Sequence, residues 1–169
     1  MPKGVASRDR FLTGLLAVVM VMLILMLLAL PPREVGYTEK KTFELVNEER
    51  VAAGLEPLEW DDRIAEVARQ HSRYMAENNY FGHADANGNR VDDRLRKAGI
   101  TAFTLSGENI HKSFVGNADR MAHIALNNWV NSASHYATLT RPKFTHTGIG
   151  VAKGGTFYYF TQVFVEKTS

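Results

Sequence analysis

A run of twenty uncharged residues, Phe11–Leu30, constrains this chain more than any other feature of its sequence. Only Thr13 and Gly14 dilute its apolar character. A helix rises about 1.5 Å per residue, so roughly twenty residues cross the ~30 Å hydrocarbon core of a bilayer. We therefore predict that residues 11–30 form a transmembrane helix.

The run is interpreted as an uncleaved signal anchor rather than a secretory signal peptide. Secretory apolar regions usually span about 7–15 residues and end at a small-residue cleavage site. This run is longer and continues into Pro31-Pro32-Arg33 without such a site. The chain has no cysteine, which excludes a lipid-attachment cysteine.

The positive charges that flank the run indicate its orientation. Three bases precede it, and one follows closely, with Lys40 and Lys41 farther on. Since Lys and Arg accumulate on the cytoplasmic side, we predict a short cytoplasmic tail. The expected organisation is a tail (residues 1–10), an anchor (11–30), a linker (31–36) and one domain outside the cytoplasm (37–169).

The charge and cysteine content exclude several functions for that domain. The chain has 20 Lys and Arg and 18 acidic residues, but residues 1–33 hold four of the bases and one acid. The remainder has a net charge of −1, so the basic stripe expected of a nucleic-acid partner is missing. Without cysteine, disulfides, thiol catalysis and thiolate zinc sites are excluded. About 130 residues still suffice for an apolar core.

Residue periodicity predicts helices first and strands last, which is an α+β arrangement. Helices are predicted after N-caps at Thr38, at Asp61 or Asp62, and at Asn117, with a short helix near Val91–Ala98. Residues 101–106 favour a strand. Residues 147–153 and 156–165 are predicted to form a hairpin around Gly154-Gly155.

The turn Asp85-Ala86-Asn87-Gly88 faintly resembles a calcium-binding loop. With Gly88 at the sixth position of such a loop, Arg94 falls at the twelfth, where calcium needs a bidentate carboxylate. A calcium site is therefore excluded. The turn is better explained by Asp and Asn side chains that bond their own backbone and by a glycine with positive φ.

Taken singly, the histidines and Glu108 say little about function. The residues His111, His123 and His146 are interpreted as surface or strand-end residues. His71 shares the apolar face of its helix, which favours a satisfied, partly buried structural role. Glu108 is expected at the exit from a strand into a loop. His83 and His135 stay open.

Five stretches together resemble bacterial members of the CAP superfamily, also called the SCP domain. This superfamily includes cysteine-rich secretory proteins, insect venom allergens of the antigen 5 type and plant pathogenesis-related proteins. The resemblance covers roughly Tyr37 to Glu166. The stretches are LVNEERVAAGLEPLEW (45–60), YFGHADANGNRVDDRLRKAG (80–99), GENI (107–110), WVNSASHYATL (129–139) and HTGIGVAKGGTFYYFTQVFV (146–165).

The resemblance implies a CAP-type α-β-α sandwich, in which a three-stranded antiparallel sheet is flanked by helices. Residues 101–110 would supply one strand and the predicted hairpin the other two. A sheet covered on both faces explains the apolar residues at successive positions of 156–165.

The resemblance also implies a polar cleft. Its two histidines correspond to His83 and His135 and its first acid to Glu108, whereas the second acid of eukaryotic members falls on Ser132. Trp129, Ser132 and His135 would share one side of a helix if that helix is continuous. Glu108 beside two imidazoles is expected to favour charged histidine.

The residues His83, Glu108 and His135 meet the minimum for an open zinc site, so a divalent metal ion is the expected cofactor, if there is one. Three functions follow as hypotheses. The first is a membrane-tethered binding module, without enzymatic activity, for a small ligand, a lipid or a cell-envelope component. The second is a metal-assisted hydrolase, either a peptidase or a cell-wall enzyme. The third is a purely structural tetrad that includes Ser132.

Overall fold

The computed structural model describes residues 19–20, 33–114 and 116–168. The chain divides into two compact units, residues 1–33 and 34–169. In the first unit, Val19 and Met20 are helical and exposed. The predicted tail and the rest of the predicted anchor lie outside the described residues. Within the ranges that are described, no helix has the length and hydropathy needed to cross a bilayer.

The second unit is built from helices and strands in a mixed order. Its helices are α1 (Arg33–Ala52), α2 (Asp62–Glu77), α3 (Val91–Lys97), α4 (Ala118–Val130) and α5 (Ala133–Leu139). Its strands are β1 (Glu59–Trp60), β2 (Phe103–Phe114), β3 (His146–Gly154) and β4 (Phe157–Lys167). The predicted α+β class is confirmed.

In the part of the chain that is described, the sheet has four strands in the order β1-β3-β4-β2, rather than the predicted three. The strands β2, β3 and β4 are antiparallel, and the extra strand β1 pairs with β3 in parallel. Asn47 holds the segment before β1, because its amide donates to the Leu58 carbonyl (3.0 Å) and its oxygen accepts from the Leu58 N–H (2.8 Å). A strand of two residues is too short to show an alternating pattern in the sequence, and the contact that fixes it comes from a different helix.

The helix α1 begins at Arg33 and not at Thr38, so part of the predicted linker is helical. Val35 and Thr38 are both buried. The Thr38 carbonyl accepts a hydrogen bond from the Thr42 hydroxyl at 2.7 Å, as it does inside a helix. Residues 33–37 are therefore already helical, where capping preferences alone suggested a start at Thr38.

Other predicted helix ends are confirmed. Asp61 caps α2 by accepting hydrogen bonds from the backbone N–H groups of residues 63 and 64. Asn117 caps α4 in the same way. The hairpin is also confirmed, although its turn residues are Gly155 and Thr156, and Gly155 supplies the positive φ of 58°.

Helices cover the sheet on both faces, because β4 carries apolar side chains at successive positions. Tyr158, Phe160 and Phe164 join one core cluster with α1, α4 and α5. Val163 and Val165 join a second cluster with α2 and α3 on the opposite face. This is the sandwich that the family resemblance implies.

Helix α2 lies directly on the backbone of β3. A methyl group added at Gly148 would overlap the backbone of Ala65, and one at Gly150 would overlap that of Arg69. At Gly154 the added carbon would lie 2.6 Å from the Ala76 carbonyl oxygen. Alternate glycines on one face of β3 therefore allow helix and strand backbones to approach more closely than any side chain permits.

Candidate functional site

The predicted cleft residues meet along the free edge of the sheet. Strand β2 is an edge strand, and its residues 106–109 line a cleft of about 410 Å³. His83 reaches this cleft from the loop between α2 and α3, and His135 reaches it from α5. The neighbouring helices α3 and α5 pack on opposite faces of the sheet, and both imidazoles line the cleft at its edge.

Glu108 lies within β2, opposite Val163 of β4, and not at a loop exit as predicted. Its side chain is only 3% exposed. The strand is longer than the predicted one because residues 103–114 pair with β4 over almost its whole length. Glu108 is thus a buried carboxylate on a rigid element.

Both oxygens of Glu108 are bound within the protein. The Oε1 atom is 2.8 Å from His83 Nδ1, and Oε2 accepts from the guanidinium of Arg94. Arg94 also donates to the carbonyls of His83 and Asn89, both at 2.9 Å. One cation therefore compensates the buried carboxylate and also holds the loop that carries His83.

Sequence reasoning missed Arg94 as a site residue and considered it only as an obstacle to calcium. A signal for it exists on α3, where Val91 and Leu95 form the inward side. Arg94 follows Val91 by three positions and shares that side. Its side chain is only 10% exposed, as befits a charge held by a buried partner.

The loop between His83 and α3 is organised by Asp85. Its Oδ1 accepts from the backbone N–H groups of Asn87 (2.8 Å) and Asn89 (3.0 Å), and Gly88 has φ 78°. Although desolvation alone would raise the pKa of Asp85, these bonds and the Asn89 side chain lower it. The interpretation of this turn as self-bonded is confirmed.

His135 lies in α5, which is a separate helix from α4. Helix α4 ends at Val130 and Ser132 is the N-cap of α5, so the helix is not continuous through residues 129–135 and the condition for a shared helix side is not met. The Asn109 side chain donates to the His135 carbonyl at 3.1 Å and ties α5 to β2. Trp129 is buried and donates to the Ile110 carbonyl at 3.1 Å.

Ser132 lies beside the cleft rather than between the imidazoles. Its hydroxyl is 3.3 Å from that of Ser134. A second depression, of about 530 Å³, is lined by Ser132, both imidazoles, Phe81 and Lys112 among others. His83 and His135 therefore border both depressions, whereas Glu108 borders only the first and Ser132 only the second.

The electrostatics differ from the expectation of charged histidines. Burial, followed by the charge of His83 when protonated, lowers the pKa of His135. The Glu108 carboxylate, which was expected to favour a proton on this ring, bonds His83 and Arg94 instead. His135 is therefore neutral at physiological pH.

Two further histidines, His111 and His71, are buried next to the site. His111 is 9% exposed and packs 5.7 Å from Phe160, and its burial lowers its pKa to about 4. It is not the surface residue that was predicted. His71 bonds the Gly82 carbonyl at 2.9 Å and so positions the residue before His83. Its structural role is confirmed, but at 1% exposure it is fully rather than partly buried, and its Nδ1 has no hydrogen-bond partner among the described residues.

The predicted zinc ligands do not form one three-ligand set. Among the described residues, no three His, Asp, Glu or Cys side chains are grouped to hold a metal ion. Glu108 uses both oxygens inside the protein, one of them beside the positive charge of Arg94. Its bond to His83 Nδ1 resembles the outer contact that orients a metal-binding imidazole. Of the three predicted zinc ligands, only the two imidazoles remain to bind a ligand.

Known proteins with similar sequences share this architecture. Residues 43–164 match the CAP family, described as the cysteine-rich secretory protein family. The uncharacterized membrane protein YlbC of Bacillus subtilis is 38% identical over 130 residues, which are 77% of this chain and 35% of YlbC. YkwD of the same organism, also uncharacterized, is 34% identical over 80% of this chain and 50% of its own length.

Solved structures give the same result. An extracellular protein with an SCP domain from Bacillus anthracis is 34% identical, with a TM-score of 0.64 over 79% of this chain and 41% of its own. An outer surface protein from Borrelia burgdorferi is 22% identical and shares the fold, with a TM-score of 0.70 over 82% and 97%. The chain spans half or less of the length of the curated relatives. Its match over residues 43–164 shows that it belongs to the CAP family.

Proposed function

We propose that this chain is a membrane-tethered binding module, displayed outside the cytoplasm, whose cleft takes a ligand between His83 and His135. One observation carries the proposal: the imidazoles of His83 and His135 line the same cleft, of about 410 Å³, at the free edge of β2. Such convergent polar groups in a concave site are typical of small-ligand sites.

The contacts of Glu108 define what the cleft offers to a ligand. Arg94 pairs with one oxygen of Glu108 and His83 Nδ1 bonds the other, which leaves His83 Nε2 to face a ligand. In a neutral imidazole with its proton on Nδ1, Nε2 is a lone-pair acceptor, and His135, whose pKa is lowered by burial, offers another such nitrogen. Two acceptor nitrogens suit a divalent cation or the donor groups of a small cell-envelope component.

The proposed location depends on the apolar run and on the relatives. Residues 11–30 have the length and composition of a single membrane anchor. YlbC is named a membrane protein, and the Bacillus anthracis relative is extracellular. The near-neutral charge of the second unit does not favour nucleic acid as its ligand.

Binding without chemistry accounts better for the site than the hydrolase alternative does. A hydrolase needs a nucleophile or a water molecule activated by a base. The hydroxyls of Ser132 and Ser134 lie against each other, and Glu108 is committed to His83 and Arg94. These contacts hold the site in one arrangement and favour recognition.

Zinc titration of the full-length chain in detergent tests the proposal, because zinc binds imidazole nitrogen. A distant protein of the same fold, NaASP2, has been solved with Zn²⁺, although it is only 14% identical. We expect saturable binding near one equivalent that weakens at least about tenfold, or 1.4 kcal/mol, in His83→Ala and in His135→Ala. The matched control is His123→Ala, because His123 is exposed on α4.

The proposal would be overturned if zinc bound equally well to the parent and to both cleft variants. It would also be overturned if no saturable binding occurred while both variants stayed folded. Hydrolysis of peptides or cell-wall glycans by the zinc-loaded chain, lost in His83→Ala, would instead establish the enzymatic alternative.

A further inference from the structure

The exposed aromatic side chains of the second unit gather at one end of the sandwich. Among its described residues, five large apolar side chains are exposed, and four of them are aromatic. Phe114 is 71% exposed, and the other three aromatic side chains are 38–52% exposed. These four residues are Tyr37, Tyr80, Phe81 and Phe114. The fifth, Val51, lies near the opposite end of α1.

Two strand ends define this end of the molecule. Phe114 is the last residue of β2 and Phe157 the first of β4, and their rings lie 4.6 Å apart. The hairpin turn at Gly155 and Thr156 adjoins them, and both turn residues are exposed. Phe114 therefore projects beside the tip of the β3–β4 hairpin.

Helix α2 brings two more aromatic residues to the same end. Ala76, in its last turn, packs on Gly154 at the end of β3. The Tyr159 hydroxyl lies 3.4 Å from the Asn79 side chain, just before Tyr80. Phe81 shares the wall of a depression with Lys112, two residues before Phe114.

The start of α1 lies at this end as well. The Tyr37 hydroxyl donates to Asp119 Oδ1 at 2.8 Å. Asp119 is in the first turn of α4, five residues after Phe114. The second unit therefore begins beside its exposed aromatic residues.

Positive side chains surround these aromatics. The Lys112 ammonium lies 4.2 Å from the centre of the Phe157 ring. Lys153 and Arg120 are exposed at this end. The acids here include Asp119, already bonded to Tyr37, Glu77, and Glu34 in the first turn of α1. We call Tyr37, Tyr80, Phe81 and Phe114, with Lys112, Arg120 and Lys153, the aromatic face.

We infer that the aromatic face rests on the surface of a phospholipid bilayer and sets the orientation of the domain. Aromatic rings with a polar edge favour the membrane–water interface, and long basic side chains place their charges among the headgroups. Large apolar side chains that are exposed together at one end of a domain mark a surface for a partner.

Chain connectivity identifies the bilayer as that partner, and here the inference rests on the proposed membrane tether. The apolar run ends at Leu30, only seven residues before Tyr37 of the aromatic face. A chain that leaves a membrane span at residue 30 enters the second unit at the aromatic face, which identifies the bilayer as the partner of that face.

The absence of cysteine makes the orientation measurable by single-site spin labelling. Phe114→Cys and Thr156→Cys place labels at the aromatic face. Thr156→Cys leaves Phe114 in place, so it still reports on this face if the Phe114 variant fails to fold. Val51→Cys is the matched control, and Ile24→Cys reports on the apolar run. The full chain is reconstituted into vesicles of phosphatidylcholine and phosphatidylglycerol, and collision rates with oxygen and with a water-soluble nickel complex give label depth.

We expect labels at 114 and 156 to show a severalfold higher oxygen-to-nickel ratio than the label at 51. Equal ratios at 51, 114 and 156 would overturn the inference. The label at 24 then separates the two failures. If it lies in the hydrocarbon, the tether holds and only the orientation is wrong; if it is in water, the tether is wrong as well. Zinc binding is scored independently on the unlabelled chain.

Discussion

Two interfaces of the sheet are built on opposite principles. Where α2 crosses β3, Gly148 and Gly150 remove side chains altogether and the backbones touch. Where the loop after α2 and helix α3 meet β2, a buried carboxylate is held by Arg94 and His83 through directional bonds. The first interface depends on shape and the second on charge.

This contrast indicates which changes each region tolerates. Close backbone packing has no spare volume, so one added methyl group destabilises the fold. A buried ionic network can accept a change of shape but not the loss of one charge, because an unpaired buried ion is strongly destabilising. The four predictions below separate these two responses, and the most damaging substitution comes first.

The double substitution Gly148→Ala and Gly150→Ala should abolish the folded domain. Both new methyl groups would overlap the backbone of α2, and overpacking typically costs about 1–3 kcal/mol or more at each site. Circular dichroism and thermal unfolding measure the effect. The control Gly36→Ala, within α1 and with open space around it, should be neutral or slightly stabilising. A cooperative transition near the parental Tm in the double variant would contradict close packing.

Arg94→Met should lower the free energy of unfolding by about 3–5 kcal/mol, because it leaves Glu108 buried and incompletely compensated. The control is Arg73→Met, which breaks an exposed ion pair with Glu66 and should cost less than about 1 kcal/mol. Urea unfolding compares the two variants. Adding Glu108→Leu to Arg94→Met should recover much of the loss, and failure to recover any would show that the charge is not the cause.

Acid should weaken the domain through His111. Burial lowers its pKa from 6.5 to about 4. Between these pH values the imidazole is protonated in the unfolded chain but neutral in the folded domain. Stability is therefore complete above about pH 6.5 and falls as the pH drops toward 4, by up to about 3 kcal/mol. His111→Leu should flatten this part of the curve measured by urea unfolding, whereas His123→Leu should not. Equal slopes in both variants would remove His111 from the explanation.

His83→Asn should change stability least, by about 1 kcal/mol, because the ring is partly exposed and Arg94 still compensates Glu108. Thermal unfolding measures this loss, and zinc titration of the same variant measures the cleft. A loss as large as that of Arg94→Met would make His83 an equal member of the buried network.

Much of the fold is predictable because local signals and tertiary structure agree. Asp61 and Asn117 cap the helices that follow them. The β3–β4 hairpin forms around a glycine with positive φ. The family resemblance correctly brings His83 and Glu108 together, 2.8 Å apart. Each of these features depends on a few neighbouring residues or on a pattern shared with relatives.

The failures have a common cause in contacts between distant residues. Asn47 holds the segment before β1, and α1 already includes residues 33–37, with Val35 buried in the core. His111 is buried only because β2 extends to Phe114 under α4 and against β4. None of these contacts leaves a periodic trace in the local sequence.

The amino-acid sequence alone is enough to identify the apolar run, the α+β class, the caps, the hairpin and the family. These depend on composition, hydrophobic period and turn chemistry, which act over a few residues. Three features appear only in the folded chain: β2 is an edge strand, Arg94 occupies the second oxygen of Glu108, and the exposed aromatics share one end. They could not be predicted because strand order and the pairing of a buried charge depend on which distant elements pack together.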